Sequence, residues 1–143
     1  MTKAFHDISM DELLPQQPPF RFVDHLEDYH DDITCVSFTP MEGGLMMDGD
    51  CFSAAGLIEH MAQASAVRNG YVAKYILHIP VAIGFIGQVR KYRIFRLPRA
   101  GERLDTRVEL KQEVFGVTLT DIEVKCGDEV ICRASLKLAL KND

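Results

Sequence analysis

One long apolar helix limits what this chain can fold into more than any other feature. Residues 54–74 have the periodicity of an α-helix, and Ser53 stands where an N-cap is expected. The apolar positions fill two adjoining faces, a wider arc than a surface helix needs. Many of the residues are small enough to let strands pass close to the helix axis (Ala54, Ala55, Gly56, Ala62, Ala64 and Ala66). We therefore expect a helix that the rest of the chain wraps on most sides.

The remainder of the chain has the alternation of β-strands. Apolar and polar residues alternate over residues 34–38, before the helix, and again from residue 104 to the end. Residues 126–128, Cys-Gly-Asp, predict a hairpin turn. Two strands, one buried helix and three or four further strands predict an α+β fold, in which a curled antiparallel sheet wraps around the one long central helix. We expect a single domain over residues 1–143.

One strand of the C-terminal half changes its apolar parity. Val117 and Leu119 would face one side of a regular strand, whereas Ile122 and Val124 would face the other. If all four side chains are in the core, the strand must contain a β-bulge near residues 120–121.

Composition and charge exclude several classes of protein. The 143 residues are 47% hydrophobic and 26% charged, which is the balance of a globular protein. Residues 1–7 hold no apolar signal-peptide core, and no run is long enough to span a membrane, so we expect a cytoplasmic protein without a membrane partner. The net charge of −5 disfavours a nucleic-acid partner. The cysteines have no metal-site spacing, so no metal is expected (Cys35, Cys51, Cys126 and Cys132).

Three segments, in order, resemble the 3-hydroxyacyl-(acyl carrier protein) dehydratases. Residues 13–24, LLPQQPPFRFVD, are similar to the family's opening L-L-P-H-R-x-P-F-L-L-V-D. Residues 57–64, LIEHMAQA, match its helix motif L-x-x-E-x-M-A-Q, and residues 93–102, RIFRLPRAGE, resemble R-F-x-R-P-V-x-P-G-D. The resemblance implies a hotdog fold, and a dimer with its sites at the subunit boundary.

The same resemblance implies the partners. The substrate would be an acyl thioester on acyl carrier protein or coenzyme A, so the phosphopantetheine arrives with the substrate and no cofactor is expected in the protein itself. The dimer could join two copies of this chain, or this chain and another hotdog protein.

Dehydration of a 3-hydroxyacyl thioester needs a base for the α-proton and an acid for the leaving hydroxide. The family uses a loop histidine and a helix carboxylate from different subunits, and Glu59 matches that carboxylate. A purely structural carboxylate is the alternative. Gln63, one turn later, could orient Glu59 or the substrate, or simply pack in the core. Gly56 is a further candidate for substrate binding, because backbone N–H groups near a helix start can hold a thioester oxygen.

The loop histidine is missing at its expected place. Counting back from Glu59 without a gap puts Leu45 at that position, and leucine cannot transfer a proton, which leaves it only a substrate-lining role. His60 follows Glu59 directly, but successive helix residues point in different directions, so we expect His60 in the core or at a dimer interface. His25 and His30 are expected at the surface. Asp48 and Asp50, near the helix start, could act with Glu59, or be solvated acids of the loop.

One basic cluster stands out in an otherwise acidic chain (Arg90, Lys91, Arg93, Arg96 and Arg99). Acyl carrier proteins are acidic, so these cations could steer the docking of a carrier. Charges that protect an exposed strand edge are the alternative.

Three functions are compatible with this sequence. The chain could be a dehydratase that uses Glu59 with a second group from a rearranged loop or from a partner chain. It could be a non-catalytic partner of an active hotdog dehydratase. It could also be a thioesterase, in which a helix carboxylate alone activates water or attacks the thioester.

Overall fold

The computed structural model describes residues 4–140 and has the hotdog fold that the resemblance implies. One antiparallel sheet has the spatial order β1-β2-β6-β7-β8-β5. Its strands are β1 (His25–His30), β2 (Ile33–Phe38), β5 (Gly84–Ile94), β6 (Leu104–Val114), β7 (Val117–Cys126) and β8 (Glu129–Leu140). A short ribbon of β3 (Met47–Asp48) and β4 (Cys51–Phe52) precedes helix α1 (Ala54–Tyr71), a π-helical segment follows it (Val72–Leu77), and two 3₁₀ turns open the chain (Phe5–Asp7 and Met10–Glu12).

Helix α1 begins where the sequence predicts. The Ser53 side chain accepts a hydrogen bond from the backbone N–H of Gly56 at 3.0 Å, which satisfies one of the free donors of the first turn. The helix is buried on most sides, as expected from its wide apolar arc. A Cβ on Gly70 would lie 2.4 Å from the Leu13 carbonyl oxygen, so the N-terminal segment crosses α1 at a residue that has no side chain. Within the described part of the chain, no helix is long and apolar enough to cross a membrane.

The predicted bulge in β7 is wrong. The register of the β6–β7 pair does shift beside Thr120, but the extra residue is Lys111 of β6; β7 itself has none at residues 120–121, and its buried positions alternate without interruption. The inward set includes two threonines, Thr118 and Thr120, whose hydroxyls find partners inside; Thr120 Oγ1 lies 2.9 Å from Ser65 Oγ. Buried, hydrogen-bonded threonines therefore replace the expected apolar residues, and the apolar side chains turn to the outer face of the sheet (Val117 and Leu119).

The two edges of the sheet differ. Edge strand β1 is 6 residues long and lies against the first 3₁₀ turn. Edge strand β5 is 11 residues long and mostly exposed. Large apolar side chains are exposed on β5 and on the segment that leads into it (Ile76, Leu77, Ile79, Ile83, Phe85 and Ile86).

Candidate active site

Glu59 lies half-buried on α1, at a cleft between the helix and edge strand β5. The cleft has a volume of about 230 Å³. The helix contributes residues one and two turns apart, which share one face because of their spacing. The lining residues are Gln16, Glu59, Ala62, Gln63, Ala66, Gly84, Phe85, Ile86 and Leu138. A single carboxylate thus stands in a small cleft whose other walls are largely apolar.

Gln63 fixes the position of Glu59. Its side-chain amide is buried and makes three hydrogen bonds, donating to Glu59 Oε1 at 3.1 Å and to the Phe20 carbonyl at 2.8 Å, and accepting from the Phe22 N–H at 2.7 Å. Core packing and contact with Glu59, two of the roles considered for Gln63, are therefore combined in one side chain, and its contact with substrate stays a prediction. The opening segment, the helix and the carboxylate are held together through this amide.

Gly56 and Leu45 lie away from the Glu59 cleft of the same chain. Gly56 is buried under the Phe52 ring, which a Cβ would approach to 2.7 Å, and its N–H is already bound to Ser53. Leu45 is 42% exposed and lines a different groove of about 340 Å³, beside Phe52. Their predicted contacts with substrate stay predictions, and within one chain they are not contacts at the Glu59 cleft.

His60 is in the core, one of the two places predicted for it. Its ring is fully buried; Nδ1–H donates to the Phe22 carbonyl at 2.6 Å, and the Thr106 hydroxyl donates to Nε2 at 2.7 Å. The carbonyl can only accept, which fixes the tautomer. Burial lowers the pKa of His60 to about 4, so the ring is neutral at physiological pH. Both nitrogens are used in holding the fold, and neither is free for proton transfer to a ligand.

The remaining candidate groups also lie outside the cleft. The His25 ring stacks on His6 at 3.8 Å between centroids, and His30 Nδ1 lies 3.0 Å from Asp28 Oδ2. Asp48 and Asp50 are exposed in the loop before the helix. Within residues 4–140, Glu59 is the one acid–base side chain that lines the cleft. The same residues contain no group of three or more His, Cys, Asp or Glu side chains that could hold a metal ion.

The predicted basic cluster divides into two groups. Arg96 binds both oxygens of Glu102, at 2.8 and 2.9 Å, and its Nε lies 3.1 Å from Glu129. The Arg96 guanidinium lowers the pKa of the Glu102 carboxyl to about 2. Arg93 lies over the Phe95 ring, 5.4 Å from its centroid. Arg96 is therefore a structural residue of its loop, whereas the other four cations are exposed (Arg90, Lys91, Arg93 and Arg99).

Sequence reasoning missed most of the walls of the cleft. Ala62 and Ala66 could have been found from their spacing relative to Glu59, at i+3 and i+7 on one helix face. The β5 residues could not, because nothing local indicates that the edge strand ends up beside this face of α1. Gln16 had one signal: it occupies the histidine position of the opening motif. Its Oε1 is buried without a hydrogen-bond partner among the described residues.

Comparison with known proteins places this geometry in a family. The model of the ApeP-like family, described as ApeP dehydratase, matches residues 8–143. A solved chain of the dehydratase heterocomplex ApeI:P from Xenorhabdus doucetiae superposes with a TM-score of 0.87 at 21% identity, covering 95% of this chain and 93% of that one.

Other solved structures share the fold at lower similarity. A hypothetical thioesterase from Streptococcus pneumoniae, solved with coenzyme A, has a TM-score of 0.61 at 11% identity, covering 82% of this chain and 85% of its own. The protein smu.793 from Streptococcus mutans, bound to acetyl-CoA, has a TM-score of 0.66 at 9% identity, covering 91% of this chain and 97% of its own. No curated protein sequence matches the chain.

Proposed function

The chain belongs to the ApeP-like dehydratase family, and from this membership we propose that it is one subunit of a two-subunit hotdog dehydratase acting on 3-hydroxyacyl thioesters. One observation carries the proposal: the cleft holds a positioned carboxylate, Glu59, but no second acid–base group from the same chain. Elimination of water needs two proton transfers, one from the α-carbon and one to the leaving hydroxide. The cleft of one chain therefore holds one of the two acid–base groups, and the other must come from elsewhere.

The second group comes from a partner subunit. Leu45 occupies the position at which the resembling family has its loop histidine, so a second copy of this chain would bring another leucine. A hotdog partner that keeps the loop histidine would complete the site. The name of the Xenorhabdus doucetiae assembly, a dehydratase heterocomplex, supports a pair of unlike subunits.

The surface that joins the subunits is edge strand β5 with its approach segment. A long edge strand has unpaired N–H and C=O groups, and proteins normally protect such an edge with charges or cover it. Here the flanking side chains are apolar and exposed, Ile83 by 47% and Ile86 by 39%. Because β5 also forms one wall of the cleft, a partner paired with β5 would stand beside Glu59.

Within this arrangement Glu59 transfers a proton and Gln63 positions it. Gln63 Nε2 binds Glu59 Oε1, which leaves Oε2 without a hydrogen bond among residues 4–140 and available to the substrate. The thioester reaches the cleft on the phosphopantetheine of a carrier protein or of coenzyme A, so the protein needs no resident cofactor. The exposed cations of the basic cluster favour an acidic carrier. The cytoplasmic location expected from the sequence is part of the same proposal.

Thioester hydrolysis is the second candidate. Glu59 is only half-buried in the single chain, so water can reach the carboxylate when β5 is uncovered. Hydrolysis would need no second side chain, because one carboxylate can activate water.

The test measures enoyl product and free thiol together, with a 3-hydroxyacyl group on acyl carrier protein as substrate. We expect neither product from this chain alone, and enoyl product when it is mixed with a hotdog subunit from the same organism that keeps the loop histidine. Glu59→Gln should lower kcat of the mixture by about 10²- to 10⁴-fold, the usual contribution of a positioned acid or base.

Glu42→Gln, the same change on an exposed loop, is the control and should leave the rate unchanged. Enoyl product from this chain alone would contradict the two-subunit proposal. Free thiol that disappears in Glu59→Gln would identify a thioesterase instead.

A further inference from the structure

The outer face of the sheet has an apolar end that the family motifs do not explain. Val114, Val117, Ala139 and Phe85 are direct cross-strand neighbours, one residue from each of β6, β7, β8 and β5; Phe85, at the edge of the sheet, also lines the Glu59 cleft. Val117 is on the outward parity of β7, because the adjacent Thr118 is buried. An outer face of a sheet normally carries polar residues, and a contiguous apolar row there indicates a surface that binds something.

The next row turns this end into a cleft. Gln112, Leu119, Lys137 and Gln88 pair across the same four strands. Together with Arg90 and the two valines they line a cleft of about 400 Å³. At the tip of the adjoining β6–β7 hairpin, Phe115 is 96% exposed. We call this surface, the seven lining residues with Phe115, the outer cleft.

The charges of the outer cleft have one sign. Farther along the same face, cations and carboxylates neutralise each other, as in the pair of Arg133 Nε and Glu123 Oε2 at 3.2 Å. Arg90 and Lys137 have no ion-pair partner within residues 4–140, and no carboxylate lines the outer cleft. If two copies of the chain met at this cleft, the cations of one would face the cations of the other, and this like-charge contact is unfavourable. An acidic partner with an apolar ridge is complementary in both respects.

The position of the outer cleft relative to Glu59 identifies the partner. Lys137 lines the outer cleft, and its neighbour Leu138 lines the Glu59 cleft on the other face of the sheet. Both clefts lie toward the end at which β5 begins and β8 ends, where Gly84 pairs with Leu140. A group tethered to a protein on the outer face can pass around this end of the sheet to Glu59, even when a partner subunit covers the β5 edge.

We infer that the outer cleft is the docking site of the acyl carrier protein, which places an acidic amphipathic helix of the carrier on the apolar rows between Arg90 and Lys137. This inference rests on the proposed function, and it moves the docking site from the cluster at residues 90–99 to the outer face of the four strands β6, β7, β8 and β5. Of the five cations predicted for docking, only Arg90 belongs to it.

The test compares one acyl group on two carriers. The complex of this chain with its hotdog partner is assayed with a 3-hydroxyacyl group on holo-acyl carrier protein, and with the same group on coenzyme A. Lys137→Glu and Phe115→Asp should lower kcat/KM for the carrier-bound substrate at least about tenfold, and change it less than about twofold for coenzyme A. Phe115 has φ of 51°, a conformation that aspartate tolerates, so this variant keeps the hairpin.

Lys125→Glu is the matched control, because it reverses a charge at the far end of the outward face of β7. It should leave both substrates unaffected. An equal loss with both substrates, or no loss with either, would overturn the inference. A change in oligomeric mass with unchanged carrier affinity would also overturn it, since the surface would then join copies of the chain.

A separate titration of the holo-carrier protein onto the complex keeps this inference distinct from the proposed function. If the wild-type complex turns over neither substrate, the dehydratase proposal fails. Loss of carrier binding in Lys137→Glu, with binding retained in Lys125→Glu, would still support docking at the outer cleft. Unchanged binding in Lys137→Glu would exclude it.

Discussion

The two sides of helix α1 differ in how far this one chain completes them. On the side of His60, which we call the closed side, both ring nitrogens have partners, and the Phe22, Phe38 and Phe52 rings pack around the helix. On the side of Glu59, the open side, one carboxylate oxygen is bound to Gln63, and the outer edge of the neighbouring strand β5 has no strand paired with it within residues 4–140. The two residues are consecutive in sequence, so the helical rotation alone separates them.

This difference separates stability from function. The His60 ring on the closed side is buried and fully hydrogen-bonded, the arrangement that fixes a unique core. The open side keeps an acid–base group at a cleft with apolar surface around it, which is costly to a chain that stays alone. We therefore expect substitutions on the closed side to change folding, and substitutions on the open side to change assembly and catalysis.

The largest effect on folding is expected from His60→Leu. The variant leaves the Phe22 carbonyl and the Thr106 hydroxyl buried without partners, at a cost of about 1–3 kcal/mol each, so the free energy of unfolding should fall by about 3 kcal/mol. Urea denaturation measures the loss. Glu59→Gln, one residue away on the open side, should change the same quantity by less than about 0.5 kcal/mol.

A second variant tests the cause of that loss. Adding Thr106→Val to His60→Leu removes one orphaned hydroxyl and should restore about 1 kcal/mol. Equal losses in His60→Leu and Glu59→Gln would remove the distinction between the two sides.

The next effect is on assembly. Ile86→Asp puts a carboxylate on edge strand β5, at the wall of the Glu59 cleft, where partner pairing would bury it without a counter-charge, so the affinity for the hotdog partner should fall about 100-fold. The free energy of unfolding of the free chain should fall much less than the free energy of association, because Ile86 is already 39% exposed without a partner. His30→Asp introduces the same group on the opposite edge strand, β1, as the control. If both variants bind the partner as wild type does, β5 is not the interface.

Acid should lower the free energy of unfolding through His60, on the closed side. Burial lowers the pKa of His60 from 6.5 to about 4, so the unfolded chain binds this proton more readily than the folded one. The neutral His60 ring therefore contributes its full stabilisation above the pKa of the unfolded chain. This contribution to the free energy of unfolding is lost as the pH falls toward the pKa of the folded chain. The loss is about 2 kcal/mol between neutral pH and about pH 5. Urea midpoints across this range measure it, and the slope should flatten in His60→Leu with Thr106→Val.

The elements of this fold were predictable where the signals are local. Ser53 caps the helix one residue before its predicted start, and small residues along α1 mark a helix packed closely by its neighbours. Which side chains of β7 point into the core was not predictable in this way. Valine and threonine are nearly isosteric, so the pattern alone does not tell whether Val117 or Thr118 points inward; the hydrogen bond between Thr120 and Ser65, far apart in sequence, is what decides it.

The candidate site was predictable only along the helix. Glu59 and Gln63 follow from a motif with a one-turn spacing, and the structure brings them together. The β5 wall depends on which strand ends beside the helix, a property of the sheet order. Arg96 was assigned to docking because its charge is visible in the sequence, whereas its engagement by Glu102 and Glu129 depends on how two loops meet.

The smallest effects come from two glycines whose neighbours differ in how easily they can move. A Cβ on Gly70, where the N-terminal segment crosses α1, would lie 2.4 Å from the backbone oxygen of Leu13, so Gly70→Ala must displace a main-chain segment and should cost about 1–3 kcal/mol. On Gly84, at the open side, the Cβ would meet only the end of the Leu138 side chain at 3.1 Å, which can rotate away. Gly84→Ala should therefore change the free energy of unfolding by less than about 0.5 kcal/mol. Urea denaturation of both variants measures the pair. A Gly84→Ala cost equal to that of Gly70→Ala would mean that the β5 edge, before any partner binds, is packed as rigidly as the crossing of α1 by the N-terminal segment.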